Sequence, residues 1–221
     1  MILSRGRSYV FIHIPKTGGT ALALALEARA MADDEMLGDT PKALKRRRRL
    51  QGADARGRLW KHSTLADIEG LATCEELRGL FAFTLVRNPY DRVVSYYHWL
   101  RTQRFDHPAV PLAQTLSFEA FVCHPQVAAS LKANPYTSYM RQSDGQEHCN
   151  LYIRLETFAE DAQPLFDHLG FSFELPLVNE SPRQRDWRKY YTEQAFEAVS
   201  RACSDDIGQF EYSFNEFPLS L

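Results

Sequence analysis

Near its start, the chain carries residue types that bind phosphate, placed between an apolar segment and a helical segment. They lie within Ile14-Pro15-Lys16-Thr17-Gly18-Gly19-Thr20. Glycines permit positive φ and close approach of the backbone to a ligand, the lysine supplies a mobile charge, and the threonines supply hydroxyl donors. A helix that starts here would also present its unpartnered first N–H groups to an anion. The pattern predicts a phosphate-binding loop formed by Lys16, Thr17, Gly18, Gly19 and Thr20.

The order of these residues separates the loop from the Walker A loop of nucleoside-triphosphate-binding proteins. In that loop the lysine directly follows the last glycine, and a serine or threonine after it reaches a metal ion. Here Lys16 precedes Gly18 and Gly19. A small-molecule kinase of the P-loop type is therefore an alternative rather than the first hypothesis, and we expect no metal site.

A second strand-to-helix junction follows later in the chain. Residues 81–86 form an apolar run typical of a buried strand, and Asn88 is a natural helix N-cap. Arg87 would then lie at the carboxyl end of the strand, where open α/β sheets bind ligands, and Ser95 would lie two helical turns further on. Arginine can bind a phosphate with two parallel hydrogen bonds. The alternatives are an ion pair of Arg87 with Asp91 and an ordinary helix serine at Ser95.

Together, the two segments resemble the motifs of sulfotransferases that use 3′-phosphoadenosine 5′-phosphosulfate (PAPS). The most similar branch includes heparan-sulfate 2-O-sulfotransferases and small bacterial relatives. The resemblance implies a P-loop-like sulfotransferase fold and transfer of a sulfuryl group to an acceptor hydroxyl, on a carbohydrate or small molecule. It also implies that residues 16–20 bind the 5′-phosphosulfate, that Arg87 and Ser95 bind the 3′-phosphate, and that 3′-phosphoadenosine 5′-phosphate (PAP) is the product.

The resemblance extends to two further segments. Trp60-Lys61-His62 precedes the second strand, where the family carries a histidine that acts as general base, so His62 is the candidate base. Lys16 is suited to neutralise charge on the leaving 5′-phosphate. Residues 178–192 resemble the family's closing segment, in which we expect Ser181 and Arg183 to contact the cofactor. By contrast, His13 shares a strand face with Phe11 and is predicted to be a core or supporting residue.

Alternation of strands and helices predicts the fold. Residues 9–14, 81–86 and 150–155 each read as a buried strand, with helical segments between them. This order is typical of an α/β protein with a central parallel sheet flanked by helices. A chain of 221 residues with 44% hydrophobic residues can form one domain, so we predict a single sulfotransferase domain over residues 1–221.

Composition limits the partners and the compartment. The four cysteines show no CxxC pairing, and the sequence has no secretory signal and no apolar stretch of membrane-spanning length. We therefore expect a cytoplasmic, bacterial-type enzyme without a transmembrane segment. The overall charge of −2 and the lack of aromatics between basic residues argue against nucleic-acid binding. A catalytically inactive nucleotide-binding module is a third hypothesis, but it predicts loss of Lys16, Arg87 or His62.

Two features leave their roles open. Residues 42–49 are rich in lysine and arginine, which is typical of a solvated helix face but could also attract an anionic cofactor or acceptor. The acceptor site itself carries no motif. Aromatic and basic side chains between residues 99 and 139 could line a sugar site or serve as packing and surface residues; they are Trp99, Arg101, Tyr136 and Tyr139.

Overall fold

The computed structural model describes residues 1–178 and 183–215. The chain forms two compact units. We call Met1–Val86 with Tyr136–Val178 the sheet unit, and Arg87–Pro135 with Asn179–Leu221 the helical unit. The predicted single domain over residues 1–221 stays a prediction.

Five strands of the described residues form one mixed sheet, which lies in the sheet unit. They are β1 (Ile2–Ser4), β2 (Tyr9–Ile12), β3 (Glu35–Met36), β4 (Phe81–Val86) and β5 (Leu151–Arg154). The strand order is β3-β1-β2-β4-β5. Strands β2, β4 and β5 run parallel, whereas β1 pairs antiparallel with both β2 and β3.

The predicted α/β class is therefore confirmed, and the three predicted strands are the parallel ones. The strands β1 and β3, which extend one edge of the sheet by antiparallel pairing, were not predicted, because three- and two-residue strands carry too little alternation to be recognised. A turn that ends at Ser8, with φ of 53°, joins β1 to β2. The sheet is consequently mixed rather than wholly parallel.

The described helices are short. They are α1 (Gly19–Glu27), α2 (Pro41–Arg46), α3 (Cys74–Arg78), α4 (Pro89–Leu100), α5 (Ala109–Thr115), α6 (Phe118–Val122), α7 (Pro125–Ala133), α8 (Tyr136–Tyr139), α9 (Phe158–Asp161), α10 (Gln163–Leu169), α11 (Glu193–Ala202) and α12 (Ser204–Gln209). Two 3₁₀ helices add Arg47–Leu50 and Trp187–Tyr190.

Both faces of the sheet are buried within the sheet unit. Alternate residues of a strand point to opposite faces, so Phe11 packs with Leu22 of α1 on one face. Val10 packs with Leu65 and Ile68 on the other face. Burial on both faces explains why β2 and β4 read as unbroken apolar runs. Because these strands are parallel, their carboxyl ends lie at the same edge of the sheet.

The helical unit has its own core around α4. Tyr97 of α4 packs with Phe118, Phe121 and Val199, and all four are buried. Ser117 and Thr192 cap α6 and α11 through their hydroxyl groups, as their sequence positions predict.

The basic segment over residues 42–49 is partly structural. Lys42, Arg46 and Arg49 donate hydrogen bonds to the main-chain oxygens of Glu27, Asp34 and Ala32, respectively. Three other members, Lys45, Arg47 and Arg48, are exposed. The segment thus forms a helix with a solvated face, as expected, and also stabilises the chain between α1 and β3.

Candidate functional site

The predicted phosphate-binding loop joins β2 to α1 in the sheet unit. Lys16 has φ of 68° and Gly18 has φ of 92°, so two residues of the loop adopt the left-handed conformation. For a non-glycine residue such as Lys16, this conformation costs on the order of 1 kcal/mol or more, and strain of this kind is concentrated at functional sites.

Each of the two glycines is required by a close contact. A Cβ on Gly18 would lie 2.9 Å from Cδ1 of Leu155. A Cβ on Gly19 would lie 2.1 Å from Cδ2 of His13. Larger residues at either position would displace the loop or its neighbours.

The N-terminus of α1 has no side-chain cap, because its N-cap residue is Gly18. The first N–H groups of a helix lack intrahelical partners, so residues 18–20 can offer main-chain donors to an anion. Lys16, Gly18 and Thr20 are half-buried, whereas Thr17 and Gly19 are buried.

The Thr17 hydroxyl differs from its predicted role. Its Oγ1 donates to the main-chain oxygen of Ile14 at 2.9 Å, and the residue is fully buried. The hydroxyl therefore stabilises the loop. A role of Thr17 in cofactor binding stays a prediction.

His62 lies beside this loop. Its Nδ1 is 2.7 Å from the main-chain oxygen of His13. Because a carbonyl oxygen can only accept a hydrogen bond, Nδ1 carries the proton and Nε2 carries the lone pair. His62 is thus held in the tautomer that can accept a proton at Nε2.

The surroundings of His62 keep the imidazole neutral. The pKa of His62 is lowered to about 3, chiefly through desolvation by burial, with the hydrogen bond to His13 raising it and the Lys61 charge lowering it. Trp60 meets the His62 ring edge-on, with centroids 4.9 Å apart, and is itself 40% exposed. The turn that carries both residues is held by Ser63, whose Oγ donates to the main-chain oxygen of Arg58 at 2.9 Å.

Arg87 is the first residue of the candidate site in the helical unit. Its Nε donates to Oδ2 of Asp91 at 2.9 Å, and Asp91 also accepts from Nη2 of Arg183 at 2.6 Å. The side chains are 13%, 5% and 11% exposed, respectively. The predicted alternative, an ion pair of Arg87 with Asp91, is formed, but it is buried and shared with a second arginine.

Ser95 continues the same face of α4. Asp91 and Ser95 are four residues apart in α4, which places them on successive turns of one helix face, and Ser95 is buried. Arg87 directly precedes Asn88, the N-cap of this helix. Arg183 joins this group through Asp91. The prediction for Ser181 falls outside the described residues.

Three further observations bear on the predictions. Tyr136 is fully buried, so it cannot line a sugar site. Among the described residues, no cluster of three or more potential metal ligands occurs. In that same part of the chain, no helix has the length and apolar character needed to cross a bilayer.

The comparison with protein families decides the class of protein. The protein-family model described as the sulfotransferase family matches residues 1–215 of the chain. The chain belongs to the sulfotransferase family. This confirms the family predicted from the two motifs, and with it the prediction that the chain is an enzyme of sulfuryl transfer.

One solved structure similar to this sulfotransferase is that of mouse sulfotransferase SULT7A1 complexed with PAP. The identity is 17%, the match covers 95% of this chain and 90% of that chain, and the TM-score is 0.49. No curated protein sequence matches the chain.

Each unit of the sulfotransferase thus brings predicted residues together. In the sheet unit, residues 16–20 and His62 are connected through His13. In the helical unit, Arg87 and Arg183 are connected through Asp91. His13 and Asp91 were not predicted as site residues. The spacing of Asp91 four residues after Arg87 was a local signal for their contact, whereas no local pattern linked Asp91 to Arg183 or His13 to His62.

Proposed function

We propose that this sulfotransferase moves the sulfuryl group of PAPS to a hydroxyl group of a carbohydrate acceptor, with His62 as general base. One observation carries the proposal. Helix α1 begins without a side-chain cap, and Lys16 just before it has a strained, left-handed backbone. His13 connects the start of this helix to His62, whose Nε2 is held as a proton acceptor. This combination supplies anion binding and proton acceptance in the same unit.

The residues have distinct tasks in the proposed reaction. His62 accepts the hydroxyl proton at Nε2 as the acceptor oxygen forms its bond to sulfur. The bond between sulfur and the 5′-phosphate oxygen breaks at the same time, and the electron pair stays on the phosphate of PAP. Lys16 and the N–H groups of residues 18–20 stabilise that negative charge.

The low pKa of His62 suits this role once the cofactor is bound. In the protein alone, burial disfavours the imidazolium. A bound anion favours it, because an opposite charge nearby raises the pKa of a histidine. We infer that proton acceptance by His62 is linked to occupation of the loop.

The group around Asp91 suits the 3′-phosphate. Arg87 and Arg183 share the carboxylate of Asp91 in a mostly buried position. A guanidinium can donate two parallel hydrogen bonds to phosphate oxygens. Ser95 would add a hydroxyl donor, and Ser181 stays a predicted contact.

The carbohydrate class of the acceptor is inferred from the side chain of Trp60. This ring is exposed and meets the edge of the His62 ring, and Arg58 lies 4.9 Å from its centroid. An exposed aromatic ring offers a large apolar surface with little conformational freedom to lose, which suits the apolar face of a sugar ring. We therefore place the acceptor hydroxyl between Trp60 and the bound sulfuryl group.

A cytoplasmic location of the enzyme is also part of the proposal.

Binding and transfer experiments test the proposal. PAP should raise the melting temperature of the protein, because a ligand that binds only the folded state stabilises it, and labelled sulfate should pass from PAPS to members of a panel of glycans, phenols and alcohols. Lys16→Ala should abolish transfer, whereas Lys45→Ala, on the exposed face of α2, should not.

The alternatives give different results. Stabilisation by ATP and not by PAP would support the P-loop kinase hypothesis and overturn the proposal. Binding of PAP without transfer to any acceptor would support the inactive module. Transfer to phenols but not to glycans would retain the reaction and overturn the carbohydrate acceptor.

A further inference from the structure

His13 and His62 form a pair of buried imidazoles in the sheet unit. Their ring centroids lie 4.6 Å apart with an interplanar angle of 66°. His13 is 6% exposed and His62 is 9% exposed. The proposed reaction uses the ring of His62 and the main-chain oxygen of His13, which leaves the ring of His13 without a role.

The His13 ring contacts the cofactor loop as well as His62. A Cβ on Gly19 would lie 2.1 Å from Cδ2 and 2.5 Å from Nε2 of His13, so the ring packs directly against the Cα of the first residue of α1. Phe11 stacks against the ring from the strand, with centroids 6.0 Å apart and planes inclined by 19°. The ring therefore fills the space between the start of α1 and the base.

The ring acts in its neutral form. Burial lowers the pKa of His13 well below its usual range, and positive charge on His62, the Met1 amino group, Lys61 and Lys16 lowers it further. Among residues 1–178 and 183–215, none forms a hydrogen bond with the His13 ring. A neutral ring without hydrogen bonds to the described residues influences its neighbours by packing.

We propose that the side chain of His13 is a positioning residue, which sets the separation between the cofactor-binding start of α1 and Nε2 of His62. The inference rests on the proposed function, in which His62 is the base. Sulfuryl transfer requires the acceptor oxygen, the sulfur and the base to be aligned, and a displacement of about 1 Å can lower turnover by about 10²-fold. The contacts of one rigid ring with Gly19 and with His62 provide such a fixed distance.

A double-mutant cycle tests the role. His13→Ala removes the ring but keeps the main-chain oxygen that orients His62. We expect its kcat to fall by about 10²-fold, with a change in the Kd for PAP of less than about threefold, because ground-state binding is retained. The double variant with His62→Ala should be no slower than His62→Ala alone, since His13 acts through His62.

Two further variants serve as controls. His13→Phe keeps a ring between Gly19 and His62 and should recover most of the turnover. His168→Ala removes an exposed imidazole that stacks on Phe81 at 4.5 Å, at the amino end of β4, and should leave kcat unchanged.

Three results would overturn the positioning role. The first is a double variant whose kcat is lower than that of His62→Ala by the same factor by which His13→Ala lowers the kcat of the wild type. The second is a His13→Phe variant as slow as His13→Ala, which would mean that a ring nitrogen is required. The third is loss of PAP binding by a folded His13→Ala protein. Wild-type turnover of His62→Ala alone would instead overturn the base assignment in the proposed function.

Discussion

Leu155, the residue after β5, packs so closely on Gly18 that a Cβ on the glycine would lie 2.9 Å from its Cδ1. Gly18 also has φ of 92°, so side chains are disfavoured there by the backbone and by the neighbour. The end of β5 thus limits which residue can occupy the turn before α1.

Gly18→Ala should therefore lower the free energy of unfolding by about 2–3 kcal/mol, through backbone strain and displacement of Leu155. Urea unfolding would measure the change. Gly170→Ala is the matched control, because Gly170 has φ of 74° and no atom within 4 Å of its hypothetical Cβ; it should lose only about 1 kcal/mol. Equal losses for the two variants would show that the contact with Leu155 has no energetic effect.

Thr17→Val should destabilise the protein rather than act on the cofactor directly. The substitution leaves the main-chain oxygen of Ile14 without its buried donor, which costs about 1–3 kcal/mol. Thr17→Ser keeps the hydroxyl and should stay close to wild type in stability. Calorimetric melting together with titration of PAP would separate the two roles. If Thr17→Val had unchanged stability and a large loss of PAP affinity, the hydroxyl would be a cofactor contact instead.

Arg87→Lys should weaken binding of PAP by about 10-fold or more, because lysine cannot reproduce the paired hydrogen bonds of a guanidinium to phosphate. Adenosine 5′-phosphate, which lacks the 3′-phosphate, should bind the variant and the wild type equally well. Calorimetric titration of both nucleotides gives the ratio. Arg101→Lys, at the exposed end of α4, is the control. Equal weakening of both nucleotides by Arg87→Lys would remove Arg87 from the 3′-phosphate site.

Acid should destabilise the fold through the two buried histidines. The pKa of His62 falls from 6.5 to about 3 on folding, so between these values the unfolded chain binds a proton that the folded chain excludes. Stability is therefore full above pH 6.5 and decreases below it, by about 2 kcal/mol for this histidine at a pH of about 5. The pKa of His13 is shifted in the same direction and adds to the effect.

Urea unfolding at several pH values measures this slope. His62→Gln should show a shallower decrease in stability between pH 7 and about 5 than the wild type, whatever its stability at neutral pH. His168→Gln, at an exposed position, should retain the wild-type slope. An unchanged slope in His62→Gln would mean that His62 is protonated in the folded protein at acid pH.

Local signals predicted the elements that position the site. The apolar run over residues 81–86 matches β4, and Asn88 caps α4 by accepting from the N–H of Tyr90. Each of these features depends on residues that are neighbours in the chain. Backbone dihedrals, missing N–H groups and caps are determined over a few residues, so composition and spacing suffice to predict them.

Contacts between distant segments could not be predicted in this way. The shared carboxylate of Asp91 depends on Arg183, and the tautomer of His62 depends on the main-chain oxygen of His13. The antiparallel pairing of β1 with β3 likewise depends on segments separated by a helix. Nothing in the local pattern of any of these residues specifies its distant partner.

The amino-acid sequence by itself determined the family, because its two motifs consist of residue types in a fixed local order, and on the same basis it predicts the anion-binding loop and the candidate base. The tertiary structure alone decided that the Thr17 hydroxyl faces Ile14, that Arg87 shares a carboxylate, and that a second histidine contacts both Gly19 and His62. Those properties follow from packing and hydrogen bonding between segments that only the folded chain brings into contact.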